Sequence, residues 1–101
     1  MRYEWDPVKA RANSLKHGVE FADAVGVLED PLAFVLDDPH PSEQRFLGLG
    51  LDFLGRVLVV NWTMRGDASR LISARRATPA SRSRGKPSSQ ARRRARRATT
   101  V

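Results

Sequence analysis

Residues 56–77, RVLVVNWTMRGDASRLISARRA, decide the fold. Arg56 to Met64 (RVLVVNWTM) is the most apolar run of the chain and carries the β-branched and aromatic residues that suit a pleated surface. Gly66-Asp67 predicts a turn, and Ser69 to Ala77 (SRLISARRA) predicts the returning strand. A link this short joins antiparallel neighbours, because parallel strands need a crossover of about a dozen residues or more. On the returning strand, strict alternation sets Arg70, Ile72, Ala74 and Arg76 on one face and Leu71, Ser73 and Arg75 on the other.

Working back from the hairpin, Arg45 to Leu51 alternates Leu47, Leu49 and Leu51 with Gly48 and Gly50, and the glycines predict close approach of another element. Asp52 to Gly55 is a turn. Ala33 to Leu36 predicts a short strand, and Asp37-Asp38-Pro39-His40-Pro41 a loop. Asp6-Pro7 predicts a helix start, with Asp6 as N-cap and Pro7 at the first helical position. Val8, Ala12 and Leu15 give that helix an apolar stripe; Lys16-His17 place positive charge in its last turn, and Gly18 supplies a left-handed stop. Phe21, Ala24, Val25 and Leu28 predict a second helix, ended by Asp30-Pro31. Both stripes are expected to bury against the sheet. Tyr3 to Trp5 predicts a short edge strand. The fold class is α+β: two N-terminal helices on one face of about four antiparallel strands.

The chain has 101 residues, 18 Lys+Arg and 11 Asp+Glu, a formal net charge of +7. That charge is unevenly placed. Residues 1–78 hold all 11 acids and 10 of the basic residues, a net charge of −1, whereas residues 79–101 hold the remaining 8 basic residues and no acid. The apolar residues divide the other way. Residues 1–78 therefore read as a small globular domain and 79–101 as a basic Arg/Ser/Ala-rich tail, expected to be disordered unless bound, since it buries too little to offset its ordering entropy. Cysteine is absent, which excludes disulfides, thiolate–zinc sites and a cysteine nucleophile. The chain has no apolar run long enough for a membrane span, and the charged N-terminal stretch does not resemble a secretory signal, so a cytoplasmic protein is expected.

Two stretches together carry a resemblance. The first is Trp5-Asp6-Pro7-x-Lys9, then Asn13, then Lys16-His17-Gly18-Val19-x-Phe21 with Ala24. The second is Gly55-Arg56-Val57-Leu58-Val59-Val60, Thr63-x-Arg65-Gly66 and Arg70-x-Ile72-Ser73-Ala74-Arg75-x-Ala77. Asp30-Pro31 and Glu43-x-Arg45 lie between them in the expected order. Over residues 3 to 78 the chain resembles the BrnT family of bacterial toxins. The resemblance implies a RelE-like fold, RNA cleavage without a metal or other cofactor, and inhibition by a BrnA-like antitoxin. It further implies repression of promoter DNA through the antitoxin, with a possible dimer inside that complex. After Thr78 the chain departs from the family pattern: Pro79 opens a Ser-, Gly- and Arg-rich stretch where an Arg/Glu-rich one usually follows.

Metal-free RNA cleavage uses the RNA's own 2′-OH, which attacks the adjacent phosphorus in line. A protein contributes by fixing that geometry, neutralising the phosphoryl oxygens and moving protons. Arginine suits the second task, because its planar fork matches two phosphate oxygens. Hairpin geometry and the resemblance together point to Arg65, Arg70 and Arg75 as phosphate ligands; Arg56 and Arg76 read as solvated or paired. His17 is a general-acid or phosphate-contact candidate, or a capping residue that closes the helix onto the sheet. Glu43 and Arg45 read either as a base with a phosphate clamp or as a local ion pair. Lys9, Asn13 and Lys16 form either an RNA-facing stripe or a solvated helix face. Trp5 and Trp62 read as core. Asp37, Asp38 and His40 do not make a metal site, because Pro-rich spacing does not hold ligands in place.

Three functions remain open on these residues: a metal-independent endoribonuclease toxin, a nucleic-acid-binding module that does not cut, and a degenerate toxin that serves only its antitoxin complex.

Overall fold

The computed structural model describes residues 2–78, so the expected basic tail at 79–101 lies outside the described residues. The elements run β1 (Arg2–Glu4), α1 (Pro7–His17), α2 (Phe21–Glu29), β2 (Phe34–Asp38), β3 (Arg45–Leu51), β4 (Val57–Arg65) and β5 (Ala68–Arg76). They form one five-stranded sheet in the order β1-β5-β4-β3-β2. The expected hairpin is its centre: β4 and β5 pair antiparallel, and Gly66, the first of two loop residues, takes the positive φ of 61° that a tight hairpin turn of this kind requires.

The sheet is mixed, which corrects the expected four antiparallel strands. β1 runs parallel to β5, with Arg2 opposite Ala68 and Glu4 opposite Arg70. The short-link rule governs only strands adjacent in sequence; β1 and β5 are separated by both helices and three strands, so no link constrains their direction. β2 also extends further than expected. Asp37 and Asp38 lie in the strand, opposite Phe46 and Arg45, and not in a loop. Asp38 is held there by Asn61, whose Nδ2 donates to its carboxylate at 2.8 Å.

α1 starts and stops as the sequence predicts. The Asp6 carboxylate accepts from the Val8 N–H at 2.8 Å, and Gly18 ends the helix with φ 68° while its N–H reaches the Ser14 carbonyl. The core lies between α2 and one face of the sheet. Val19, Phe21, Ala24, Val25 and Val27 pack against Leu58, Val60, Trp62, Leu71 and Ala74. Gly48 lets Trp62 lie flat on β3, since a Cβ at Gly48 would sit 2.7 Å from the indole ring. Trp62 stacks on Phe46, and Trp5 meets Phe21 edge-on with centroids 6.0 Å apart, so both tryptophans belong to the core side of the molecule.

The expected burial of the α1 stripe is not what forms. Val8, Ala12 and Leu15 face solvent, and the helix turns Ala10 and Asn13 inward. The reason is visible at the edge of β5. β1 covers β5 only over Ala68–Arg70, which leaves the strand's outer backbone groups open further along. Asn13 takes the place of the missing strand: its Oδ1 accepts from the Ala74 N–H at 3.0 Å, and its Nδ2 donates to the Ala74 carbonyl at 2.8 Å and the Val19 carbonyl at 3.1 Å. Buried backbone groups have to be paired, and that requirement sets the rotation of the helix more strongly than its apolar stripe does.

Candidate functional site

The helices cover one face of the sheet; the register decides what the other face presents. Directly paired residues share a face. Asp38 pairs with Arg45, Arg45 with Thr63, Thr63 with Arg70, and Arg70 with Glu4. One polar row therefore crosses all five strands, Asp38–Arg45–Thr63–Arg70–Glu4, at the end of the sheet that carries the Gly66 turn. Behind it the β2–β3 part of the same face is apolar, with Leu36 and Leu47, then Phe34 and Leu49, in the successive rows, while β4 and β5 add Asn61 and Ser73, then Val59 and Arg75.

A β-bulge builds this face. Asn61 pairs with Ser73 but Trp62 pairs with Leu71, so Ile72 is an extra residue on β5. The extra residue reverses the alternation beyond it. Arg70 and Arg75, expected on opposite faces, stand on the same one, opposite Thr63 and Val59 respectively. They are two rows apart, about 13 Å along the strand at ~3.3 Å per residue, a span that two long guanidinium side chains can close from either end.

At the row the charges are paired. Arg70 Nη1 donates to Glu4 at 3.1 Å, and Arg45 Nη2 donates to Glu43 at 3.1 Å. Each of these arginines is about a quarter to a third exposed. Thr63 is buried between them, and its hydroxyl donates to the Gln44 carbonyl at 2.6 Å, which fixes the start of β3 against β4. The hydrogen bond from Arg45 holds the Glu43 carboxyl below the usual carboxylate range; burial opposes the shift, while Thr63 and the charges of Arg45 and Arg65 add to it. Arg65 stands on the same face, opposite Ala68 and one step beyond Thr63. Arg45 and Arg65 thus act on the Glu43 carboxylate, while Arg70 pairs with Glu4 across the row. Beside it the loop from Pro39 to Gln44 bounds a shallow hollow that reaches Arg45 and includes His40.

The remaining candidates lie elsewhere. His17, Lys9 and Lys16 stand on α1, and no described hydrogen bond or ion pair joins them to the row. Lys9 and Lys16 are exposed, whereas Asn13, expected beside them on an RNA-facing or solvated face, is buried. Arg56 is a structural pair: with the Asp52 carboxylate at 2.8 Å and the Gly18 carbonyl at 3.3 Å, it ties the β3–β4 turn to the end of α1. His40 engages Ser42 within its own loop. Glu4, Asn61 and Thr63 are not marked as site residues by the sequence, and Asp38 figures there only as a metal ligand that is set aside. Their membership in the site depends on register, which no local spacing reveals. Among the described residues no three His, Cys, Asp or Glu side chains cluster to hold a metal ion, and no helix is long and apolar enough to cross a membrane.

The family model described as the ribonuclease toxin BrnT of type II toxin–antitoxin systems matches residues 5–80. Among solved structures the chain is similar to the crystal structure of the Brucella abortus ribonuclease toxin BrnT. The two are 27% identical with a TM-score of 0.59, and the match covers 77% of this chain and 97% of that one. No curated protein matches the chain in sequence.

Proposed function

The chain belongs to the BrnT family of ribonuclease toxins of type II toxin–antitoxin systems, and from that premise we propose that it is a metal-independent endoribonuclease of RelE-like type whose site is the polar row on the sheet face away from α2. The observation that carries this reading is the register. It sets Arg45 and Arg70 on either side of Thr63, on adjacent strands, with Arg65 one step away and Arg75 brought to the same face by the bulge. In the reaction the 2′-OH attacks the neighbouring phosphorus and gives its proton to Glu43, the bond to the 5′-oxygen breaks, the leaving oxygen takes a proton from water, and a cyclic phosphate and a 5′-OH result. Arg70 uses Nη1 for Glu4 and keeps further N–H donors for a phosphoryl oxygen. Arg45 competes for the same phosphate. When it turns to the RNA it releases Glu43, whose carboxyl then rises towards its ordinary range and becomes a better acceptor for the 2′-OH proton. Arg75 holds a phosphate further along the strand. Lys9, Lys16 and His17 act, in this reading, on RNA that reaches the α1 side or on the partner. The protein works in the cytoplasm and is neutralised by a BrnA-like antitoxin.

The test is cleavage of a labelled RNA by the full chain in EDTA. Arg70→Ala is expected to lower the rate by about 10²–10³, the effect of deleting one donor to a developing oxyanion, with the thermal transition unchanged. Cleavage that needs an added divalent ion, or a loss of only a few-fold for Arg70→Ala and Arg45→Ala alike, overturns the arginine-row mechanism. Binding of RNA without any cleavage would favour the reading of a nucleic-acid-binding module that does not cut.

A further inference from the structure

The exposed face of α1 has no partner within the described chain. Val8 is 76% and Leu15 81% exposed, and with Pro7 and Ala12 they line a shallow depression along the helix. Cations border this stripe on both sides. At 3.6 residues per turn Arg11 flanks it on one side, and Lys9 and Lys16 on the other. No acidic residue lies between Pro7 and His17, and the nearest carboxylates are otherwise engaged: Asp6 caps the helix, and Glu20 accepts from Ser14 at 2.6 Å. The stripe is not needed for the fold, because Asn13 attaches α1 to β5 from the opposite side. An apolar strip between two cationic rails, presented on a helix anchored by its other face, is the surface of a helix-in-groove contact.

Charge selects the occupant. A second copy meeting α1 across a two-fold axis would set Lys9, Arg11 and Lys16 against the same three residues. The chain's own residues 79–101 carry 8 basic residues and no acid, and are repelled for the same reason. Single-stranded RNA satisfies the rails but leaves Val8 and Leu15 in water. We infer that α1 docks an amphipathic helix of the antitoxin whose apolar residues cover Val8, Ala12 and Leu15 and whose flanking acids meet Arg11 on one side and Lys9 and Lys16 on the other. The antitoxin is thereby held on the helix side, away from the arginine row, and this deepens the toxin–antitoxin reading on which it rests.

The experiment titrates the isotope-labelled full chain with four probes and follows its backbone amides. They are a Leu/Glu amphipathic helix of about 18 residues, its Leu/Lys counterpart, a short single-stranded RNA, and the chain itself at rising concentration. The expected result is that the Leu/Glu helix alone shifts the amides of Val8 to Leu15. Leu15→Glu is expected to weaken that binding roughly tenfold or more, whereas Arg70→Ala leaves it unchanged. The proposal is overturned if the Leu/Glu helix leaves α1 unmoved, or if the Leu/Lys helix, the RNA or a second copy moves the same amides. RNA cleavage followed in the same samples separates the two failures: cleavage with an unresponsive α1 sinks the docking surface only, and docking without cleavage sinks the ribonuclease reading only.

Discussion

The two helices look alike in sequence and attach to the sheet in opposite ways. α2 buries Phe21, Ala24 and Val25 of its predicted apolar stripe, packs Leu28 half-buried against the core, and adds Val27. α1 has an apolar stripe of the same kind, yet its buried residue is Asn13 and its stripe is in water. The difference lies in what each helix meets. α2 lies over a sheet face whose backbone groups are already paired, so apolar contact is what remains to be gained. α1 lies against the part of β5 that β1 does not reach, where unpaired N–H and C=O groups need partners. An unmet backbone hydrogen bond costs about as much as a mid-sized apolar side chain gains on burial. Asn13 bonds both Ala74 groups, and that pair of bonds fixes the rotation of the whole helix.

The sharpest way to break this comparison is to remove the anchor of each helix. Phe21→Ala deletes a ring that is 1% exposed and lies edge-on to Trp5, with an expected cost of about 3–5 kcal/mol. Asn13→Ala deletes few apolar contacts but leaves the Ala74 N–H and two carbonyls without partners, for an expected cost of about 2–4 kcal/mol. Urea unfolding of both variants measures this. If Asn13→Ala costs less than about 1 kcal/mol, α1 is not held by its amide and the contrast between the helices fails.

A second substitution sharpens the point. Asn13→Asp keeps an acceptor for the Ala74 N–H but turns an anion towards the carbonyls of Ala74 and Val19. Burial and those carbonyls raise the carboxyl's folded pKa above its unfolded value. The unfolded state then gives up its proton first as pH rises, so this variant is more stable at acidic pH and loses stability as pH climbs through the carboxylate range. Thermal melts across that range should show the loss for Asn13→Asp and a flatter profile for Asn13→Ala. Parallel profiles would mean that the Asn13 position is solvated.

What was legible in the sequence follows the same division. The Gly66-Asp67 turn of the Arg56–Ala77 hairpin and the Asp6 and Gly18 ends of α1 are set by residues within a few positions of one another, and each is present; the glycine spacing of β3 also announces the close approach at Gly48, which Trp62 makes from the next strand. The parallel pairing of β1, the rotation of α1 and the bulge at Ile72 depend on partners distant in sequence; no Gly or Pro marks the bulge, so strict alternation misplaced Arg75 relative to Arg70. The candidate site divides likewise. Glu43 and Arg45 are two residues apart and their pairing was readable, while the Arg70–Glu4 contact joins residues 66 positions apart and was not.

The smallest expected effect completes the comparison. If α1 owes nothing to its apolar stripe, then Leu15→Ala and Val8→Ala change stability by no more than about 0.5 kcal/mol, as for surface positions in general. The equivalent truncation on α2, Val27→Ala, removes a residue 1% exposed and is expected to cost about 1–3 kcal/mol. The null result on α1 has physical content, because Leu and Val that contribute nothing to folding still expose apolar area to water. Replacing them with Ala reduces that area, so solubility at high protein concentration is expected to rise while the unfolding midpoint stays still. A drop of more than about 1 kcal/mol for Leu15→Ala would place the stripe against something in the folded chain, and the two helices would then be attached in the same way after all.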